Sequence, residues 1–330
     1  MSAYPHIAVL GAGAWGTALA NCAARAGRRV TLWSRDQTRA ETLARHRENP
    51  RLPGIPLAAS VATTASPQTV AEAEAVLIAV PAQAVRAVAE VFSGWVRAHT
   101  PVIVCAKGIE RSTGLFMTEV VEQCLPQAEA AILSGPSFAH DVGSGLPTAV
   151  TLAAATAATS GALAAALGTP TFRLYHSTDR RGVEIGGAAK NVLAIAAGIV
   201  QGRRLGASAV AALTTRGFAE LSRFGRSYGA RPETLTGLSG LGDLILTCSS
   251  TASRNFSLGI RLGEGCTLAQ ACREGEVVEG RFTAAVISEL ARRRSVDMPI
   301  AAAVTAVLEE RLTVEAAMES LLARPLRSEH

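Results

Sequence analysis

The chain has 330 residues, of which 48% are hydrophobic and 18% charged, with a formal net charge of +5. That composition excludes a disordered chain, and the length suits about two domains, each with its own core. The positive charge is mild and scattered and forms no aromatic-interleaved basic tract, which argues against nucleic-acid binding and suits an anionic small substrate.

In the first half, strands and helices alternate. A short apolar run at 7–10 ends in glycine, and a helix at 14–26 closes at Gly27. A second strand is predicted at 29–33. Continuous apolar runs at 75–80, stopped by Pro81, and at 101–106 read as strands buried on both faces. Helix is expected at 82–91, a loop at 107–114, then helix to Cys124 and a strand at 131–134 ending in Gly-Pro. The stretch 142–172 carries no charge and is long enough to span a bilayer. It is broken by Pro147, Gly161 and Pro170, so it reads as a strand at 148–152, a helix at 156–167 and a turn, not as a membrane span.

Past Thr178 the pattern changes to Ala- and Leu-rich stretches with helical spacing, at 182–201, 207–228, 232–237, 253–263, 267–274, 283–294 and 300–312. The expected fold class is α/β: an N-terminal Rossmann domain with a doubly wound, mostly parallel sheet, followed by an all-helical C-terminal domain. The expected division is 1–177 and 178–330, with a ligand cleft where the two meet. The six cysteines form no CxxC pair and no metal spacing, and no signal peptide is evident. They read as reduced thiols in a cytoplasmic protein without a metal site.

The segment Gly11-Ala12-Gly13-Ala14-Trp15-Gly16 is a GxGxxG loop that follows a predicted strand and opens a helix. Gly11 makes the turn, Gly13 admits a pyrophosphate close to the backbone, and Gly16 packs helix on strand. The helix N-terminus supplies N–H donors to the phosphates. A flavin, or a module that binds nothing, is the alternative to a nicotinamide dinucleotide. Where an NAD-preferring site usually carries an acid, this chain has Ser34-Arg35. Arg35 can pair with a 2′-phosphate, so NADPH is the expected cofactor with NADH as the alternative, unless Arg35 is only one of many surface arginines.

Of 32 basic residues only two are Lys, Lys107 and Lys190. In a chain that otherwise writes its cations as Arg, these two mark places where a titratable ammonium is needed. Lys190 lies in an otherwise apolar helix, where burial lowers its pKa, and reduction of a ketone needs a proton donor at the carbonyl oxygen. The competing readings are an ion-paired Lys190, a solvated loop Lys107, and Asp243 and Ser253 as helix caps.

Six ordered segments carry a resemblance across nearly the whole chain: the glycine loop through Ala20, Ala106-Lys107-Gly108-Ile109, Ser134-Gly135-Pro136-Ser137-Phe138-Ala139, Lys190-Asn191, Gly240-Leu241-Gly242-Asp243 and Ser253-Arg254-Asn255, with Val277-Val278-Glu279-Gly280 after them. Together they resemble bacterial NAD(P)-dependent glycerol-3-phosphate dehydrogenase. The resemblance implies reversible reduction of dihydroxyacetone phosphate to sn-glycerol 3-phosphate, feeding phospholipid synthesis. It implies Lys190 as acid/base, with Lys107 and Asp243 beside it. It implies a substrate site of Lys107, Gly135, Ser137, Lys190, Asp243, Ser253, Arg254 and Asn255. Cofactor contacts would come from the glycine loop with Ala14 and Trp15, and from Ser34, Arg35, Lys107, Ala139, Arg254, Val277 and Glu279. The family often dimerises. Two departures stand out: Ala14 replaces a frequent Ser, and His140-Asp141 stands where the family often has Glu. The runner-up readings are a related dehydrogenase for a carboxylate substrate and a non-catalytic NAD(P) sensor.

Overall fold

The computed structural model describes residues 4–325, so the outer ends of the ranges 1–177 and 178–330 lie outside the described residues. Its sheet has eight strands: β1 (His6–Leu10), β2 (Arg29–Trp33), β3 (Val61–Thr64), β4 (Ala75–Ile78), β5 (Pro101–Val104), β6 (Glu129–Ser134), β7 (Thr148–Ala153) and β8 (Phe172–Ser177). Their order is β3-β2-β1-β4-β5-β6-β7-β8. Every neighbouring pair is parallel except β6 with β7. The first six strands therefore end on one edge, as the alternating pattern predicts, and the last two run the other way.

Buried strands with helices on both faces need no polar alternation, and β1, β4 and β5 are buried at every position. Their side chains still alternate between faces. Ile7, Val9, Leu77 and Ile103 enter one core, while Ala8, Leu10, Val76 and Ile78 enter the other. The helices of this half are α1 (Ala14–Arg25), α2 (Gln37–His46), α3 (Val85–Val91), α4 (Met117–Cys124), α5 (Ala139–Gly143) and α6 (Ala157–Leu167). The uncharged stretch 142–172 thus folds as the end of α5, then β7 and α6, and it enters β8 at Phe172, where a turn was expected. Also unforeseen are β3, α2 and α5, whose short polar or Ala-rich segments carry little periodicity.

The second half holds α7 (Arg180–Gly202), α8 (Ala207–Ser227), α9 (Pro232–Thr236), α10 (Asp243–Cys248), α11 (Arg254–Gly263), α12 (Leu268–Ala271), α13 (Glu279–Arg293), α14 (Pro299–Leu308) and α15 (Val314–Leu322). α10 and α15 were not foreseen, and α13 starts four residues before its predicted onset. A third core surrounds α7. This helix is long and apolar enough to cross a membrane, and its apolar window is wholly buried inside the protein. It is the axle of the helical half, with α8, α10, α11 and α13 packed around it.

Candidate active site

The glycine loop runs from the end of β1 into α1. Gly11 has φ +117°, a conformation that side chains rarely adopt. A Cβ on Gly16 would lie 1.9 Å from the Gly11 carbonyl oxygen, so only glycine lets α1 approach the loop this closely. At Gly13 a Cβ would meet nothing within 4 Å. The backbone there faces open space beside the unpaired N–H groups of the first turn of α1. That is the arrangement a pyrophosphate requires, so the residues present fit a dinucleotide. Ala14 and Trp15 are half-buried at the mouth of the loop.

Ser34 is buried after β2, where its hydroxyl accepts from the Asp36 N–H at 3.3 Å. Asp36 caps α2 through the Arg39 N–H, which commits the nearest carboxylate to the backbone. Arg35 is exposed. It stands apart from Lys107, because two strands, β1 and β4, lie between β2 and β5 in the sheet.

The lysines meet at one carboxylate. Lys107, just past β5, donates from Nζ to Asp243 Oδ2 at 2.6 Å and to the Gly135 carbonyl at 2.8 Å. Lys190, midway along α7, donates to Asp243 Oδ1 at 2.6 Å and to Thr247 Oγ1 at 2.8 Å. The Asp243 side chain is 1% exposed and that of Lys190 8%, so this triad lies almost outside water. Two ammonium groups flank one carboxylate, which leaves the cluster one net positive charge. Burial pulls the Lys190 pKa down to about 8; Asp243 opposes that shift and Lys107 reinforces it. Asp243 is the first residue of α10 and its N-cap position is Gly242, so the capping reading of Asp243 fails.

Close packing of α7 makes this geometry possible. A Cβ on Gly187 would lie 2.7 Å from Ser134 Oγ and 3.4 Å from Lys107 Cγ. The missing side chain leaves room for Lys107 to lie across the helix. Gly135 has φ +152°, and a Cβ on it would meet the Val150 backbone at 2.8 Å. Ser137 donates to the Gly135 carbonyl at 3.1 Å, so the 134–139 loop folds back onto the lysine that it contacts.

An amide chain ties the lysine loop to the helices. Asn191 Nδ2 donates to the Lys107 carbonyl at 3.0 Å, Asn255 Nδ2 donates to Asn191 Oδ1 at 2.9 Å, and the Gly280 N–H donates to Asn255 Oδ1 at 2.9 Å. Ser253 caps α11 by accepting from the Phe256 N–H at 3.2 Å, as the capping reading expected. Arg254 is exposed at the start of the same helix.

Glu279 opens α13, and its Oε1 accepts from the Ala82 N–H at 3.0 Å. Its Oε2 is buried without a hydrogen-bond partner among the described residues. Burial raises its pKa, against the pull of the Ala82 N–H and the Arg254 charge. Val277 and Glu279 share a concave face with Pro81, Gln83, Arg111 and Phe282. Ala139 begins α5, half-buried beside the sheet core. His140 and Asp141 lie 4.0 Å apart, His140 exposed and Asp141 half-buried. Among the described residues no group of three or more His, Cys, Asp or Glu is placed to hold a metal.

Sequence reasoning missed Thr247. The signal was its i+4 spacing from Asp243, visible only once α10 is recognised. Asn191 was seen only as a motif neighbour of Lys190, although it is the link between Lys107 and α11.

Comparison with known proteins gives the same picture at full length. The family model for the N-terminus of NAD-dependent glycerol-3-phosphate dehydrogenase matches residues 6–160, and that for its C-terminus matches 179–319. The chain is 59% identical over 329 residues to glycerol-3-phosphate dehydrogenase [NAD(P)+] of Bradyrhizobium diazoefficiens, covering 100% of both chains. It is 61% identical over 330 residues to the same-named protein of Azorhizobium caulinodans, again covering 100% of both. The crystal structure of glycerol-3-phosphate dehydrogenase from Coxiella burnetii superposes with a TM-score of 0.92 at 38% identity, over 97% of this chain and 99% of that one. The chain belongs to the NAD-dependent glycerol-3-phosphate dehydrogenase family.

Proposed function

We propose that the chain catalyses reversible, NAD(P)-dependent reduction of dihydroxyacetone phosphate to sn-glycerol 3-phosphate. The observation that carries this reading is the Lys107–Asp243–Lys190 triad, in a chain that also holds a dinucleotide-type glycine loop and the exposed cation Arg254. The bound dinucleotide supplies the hydride. The protein's own residues do the rest. Lys190 holds the proton that the reduced carbonyl oxygen takes up, and Asp243 and Thr247 aim its Nζ. Lys107 places a second positive charge beside the oxygen as negative charge develops there. Arg254 and Asn255 at the start of α11, with Ser253 as cap, offer the phosphate a charged donor and helix N–H groups. Gly135 and Ser137 line the substrate end. A dehydrogenase for a carboxylate substrate has less use for that second cationic end.

The cofactor contacts of this reading are Gly11, Gly13, Ala14, Trp15, Gly16, Ser34, Arg35, Lys107, Ala139, Arg254, Val277 and Glu279. The unpaired Glu279 Oε2 supports a donor group of the cofactor at that end. NADPH is the preferred form, because Arg35 is exposed and the nearby acid, Asp36, is taken by its helix cap. The division at 177/178 is supported by the end of β8 at Ser177 and the start of α7 at Arg180. The reading also includes a cytoplasmic location, a role in phospholipid synthesis, and a homodimer for which exposed Ala207, Ala211 and Ala212 of α8 offer a small-residue face.

One assay tests the core of this reading. Oxidation of NADPH and of NADH is followed with dihydroxyacetone phosphate and with a panel of keto acids, in wild type and Arg35→Asp. Dihydroxyacetone phosphate is expected to turn over fastest. The substitution is expected to remove about 1–3 kcal/mol of preference for NADPH, on the order of tenfold or more in kcat/KM ratio. Preference for a keto acid would overturn the substrate, and an unchanged cofactor ratio would overturn the role of Arg35.

A further inference from the structure

We propose that Asn49 is a positioning residue for the dinucleotide, its carboxamide fixing the peptide planes of the glycine loop from behind. The inference rests on the assignment of that loop to the cofactor pyrophosphate. Asn49 lies in the segment between α2 and β3 and is 2% exposed. Its Nδ2 stands 3.2 Å from the Ala12 carbonyl oxygen, 3.4 Å from that of Gly13 and 2.7 Å from Thr17 Oγ1. Its Oδ1 accepts from the Arg51 N–H at 3.0 Å. That bond settles which way the amide faces: oxygen to its own turn, N–H groups to the loop.

In a trans peptide the carbonyl of one residue and the N–H of the next point in opposite directions. Holding the Ala12 carbonyl on the Asn49 side therefore turns the Gly13 N–H to the other side. The Gly13 carbonyl is held chiefly by α1 itself, accepting from the Thr17 N–H at 3.0 Å, and the 3.4 Å contact with Asn49 adds to that hold on the Ala14 N–H. A Cβ on Gly13 would meet nothing within 4 Å, so the loop has open space beside these donors. Asn49 thus orients the Gly13 N–H, and α1 the Ala14 N–H beside it, before an anion arrives, which spares the cost of ordering them on binding. With Ala at position 14, no side-chain hydroxyl from that residue helps to orient the phosphates. The burden falls on backbone donors.

The segment that carries Asn49 has a separate anchor. Asn21 of α1 donates to the Pro56 carbonyl and accepts from the Ala58 N–H, both at 2.9 Å. Leu52 and Ile55 pack in the sheet core, against Gly143. Asn21 clamps the same segment to α1, and none of its hydrogen bonds goes to the glycine loop. It is therefore the control for loss of structure alone.

The experiment measures dissociation constants of NADPH and NADH by quenching of tryptophan fluorescence, with kcat at saturating cofactor and Tm alongside. The variants are Asn49→Ala, Asn49→Asp, Asn49→Ser, Asn21→Ala and Gly13→Val. Asn49→Ala is expected to weaken both cofactors equally, by about tenfold, with kcat at saturation within about twofold of wild type. Asn49→Asp turns carboxylate oxygens toward two carbonyl oxygens and is expected to bind more weakly still. Asn49→Ser keeps a donor and is expected to recover part of the affinity. Asn21→Ala is expected to lower Tm and leave affinity within about twofold. The proposal is overturned if Asn49→Ala lowers Tm without weakening the cofactor, or if Asn21→Ala weakens it as much. Gly13→Val separates this failure from a wider one. Its side chain fills the open space, so normal binding by that variant would overturn the assignment of the loop itself. Lost binding there with normal binding in the Asn49 variants would overturn only the role of Asn49.

Discussion

Lys190 combines two demands that usually conflict. Its ammonium must survive in a site nearly closed to water, yet give up a proton. The Asp243 carboxylate answers the first, and burial with the neighbouring Lys107 charge answers the second, by holding the pKa near 8. The sign of the pH dependence follows. Ketone reduction needs the ammonium, so its rate is expected to fall as pH rises through about 8; alcohol oxidation needs the free amine and is expected to rise there. Lys190→Arg keeps the charge but cannot release the proton, so it should lose most of kcat, on the order of 10²–10⁴, with cofactor affinity preserved. Near-wild-type turnover in Lys190→Arg would remove Lys190 as the acid/base. At this scale residue type was informative. Lys107 and Lys190 stood out against 30 arginines, and they meet at Asp243. Asn255 was harder to read. Its place in the substrate motif does not reveal that its side chain also bonds Asn191 and the Gly280 N–H. Such a relay depends on three separate helices and has no local signature.

Between helices, buried polar groups serve as joints. Glu220 on α8 is 2% exposed and accepts from the N–H groups of Ile300 at 2.7 Å and Ala301 at 3.2 Å. It supplies the cap that α14 lacks locally, since Met298 at its N-cap position makes no side-chain cap bond. Glu220→Ala strands two buried donors and is expected to destabilise by about 2–4 kcal/mol. Glu220→Gln retains one acceptor and should recover part of that. Equal Tm for wild type and Glu220→Ala would show that water serves the helix end equally well. The same contrast explains which elements were legible. The apolar strands β1, β4 and β5 and the long helix α7 announce themselves by composition. The reversal at β7 does not, because an antiparallel strand buried on both faces has the same apolar run as a parallel one. β8 was missed because its residues alternate with exposed Arg173 and Tyr175 at the sheet edge.

The whole molecule depends on how closely α7 and α11 approach. Gly198 and Gly202 on α7 face Gly259 and Gly263 on α11, and a Cβ on any of the four would lie 2.1–2.4 Å from a backbone oxygen of the other helix. The two backbones touch with no side chain between them. α7 carries Lys190, and α11 begins with Arg254 and Asn255, so this contact sets the distance between the acid/base group and the phosphate-binding end. Gly259→Ala has no room to relax except by separating the helices. It is expected to destabilise by about 1–3 kcal/mol or more, because a methyl group there meets backbone rather than a flexible side chain. The glycine loop belongs to the sheet half, so kcat should fall further than cofactor affinity. Gly161→Ala is the matching control: it lies inside α6, a Cβ there meets nothing within 4 Å, and the change should stabilise by about 0.4–1 kcal/mol. Thermal unfolding and fluorescence titration of the two variants separate these effects. An unchanged Tm in Gly259→Ala, or kcat and cofactor affinity falling in parallel, would mean that the site does not depend on the α7–α11 contact.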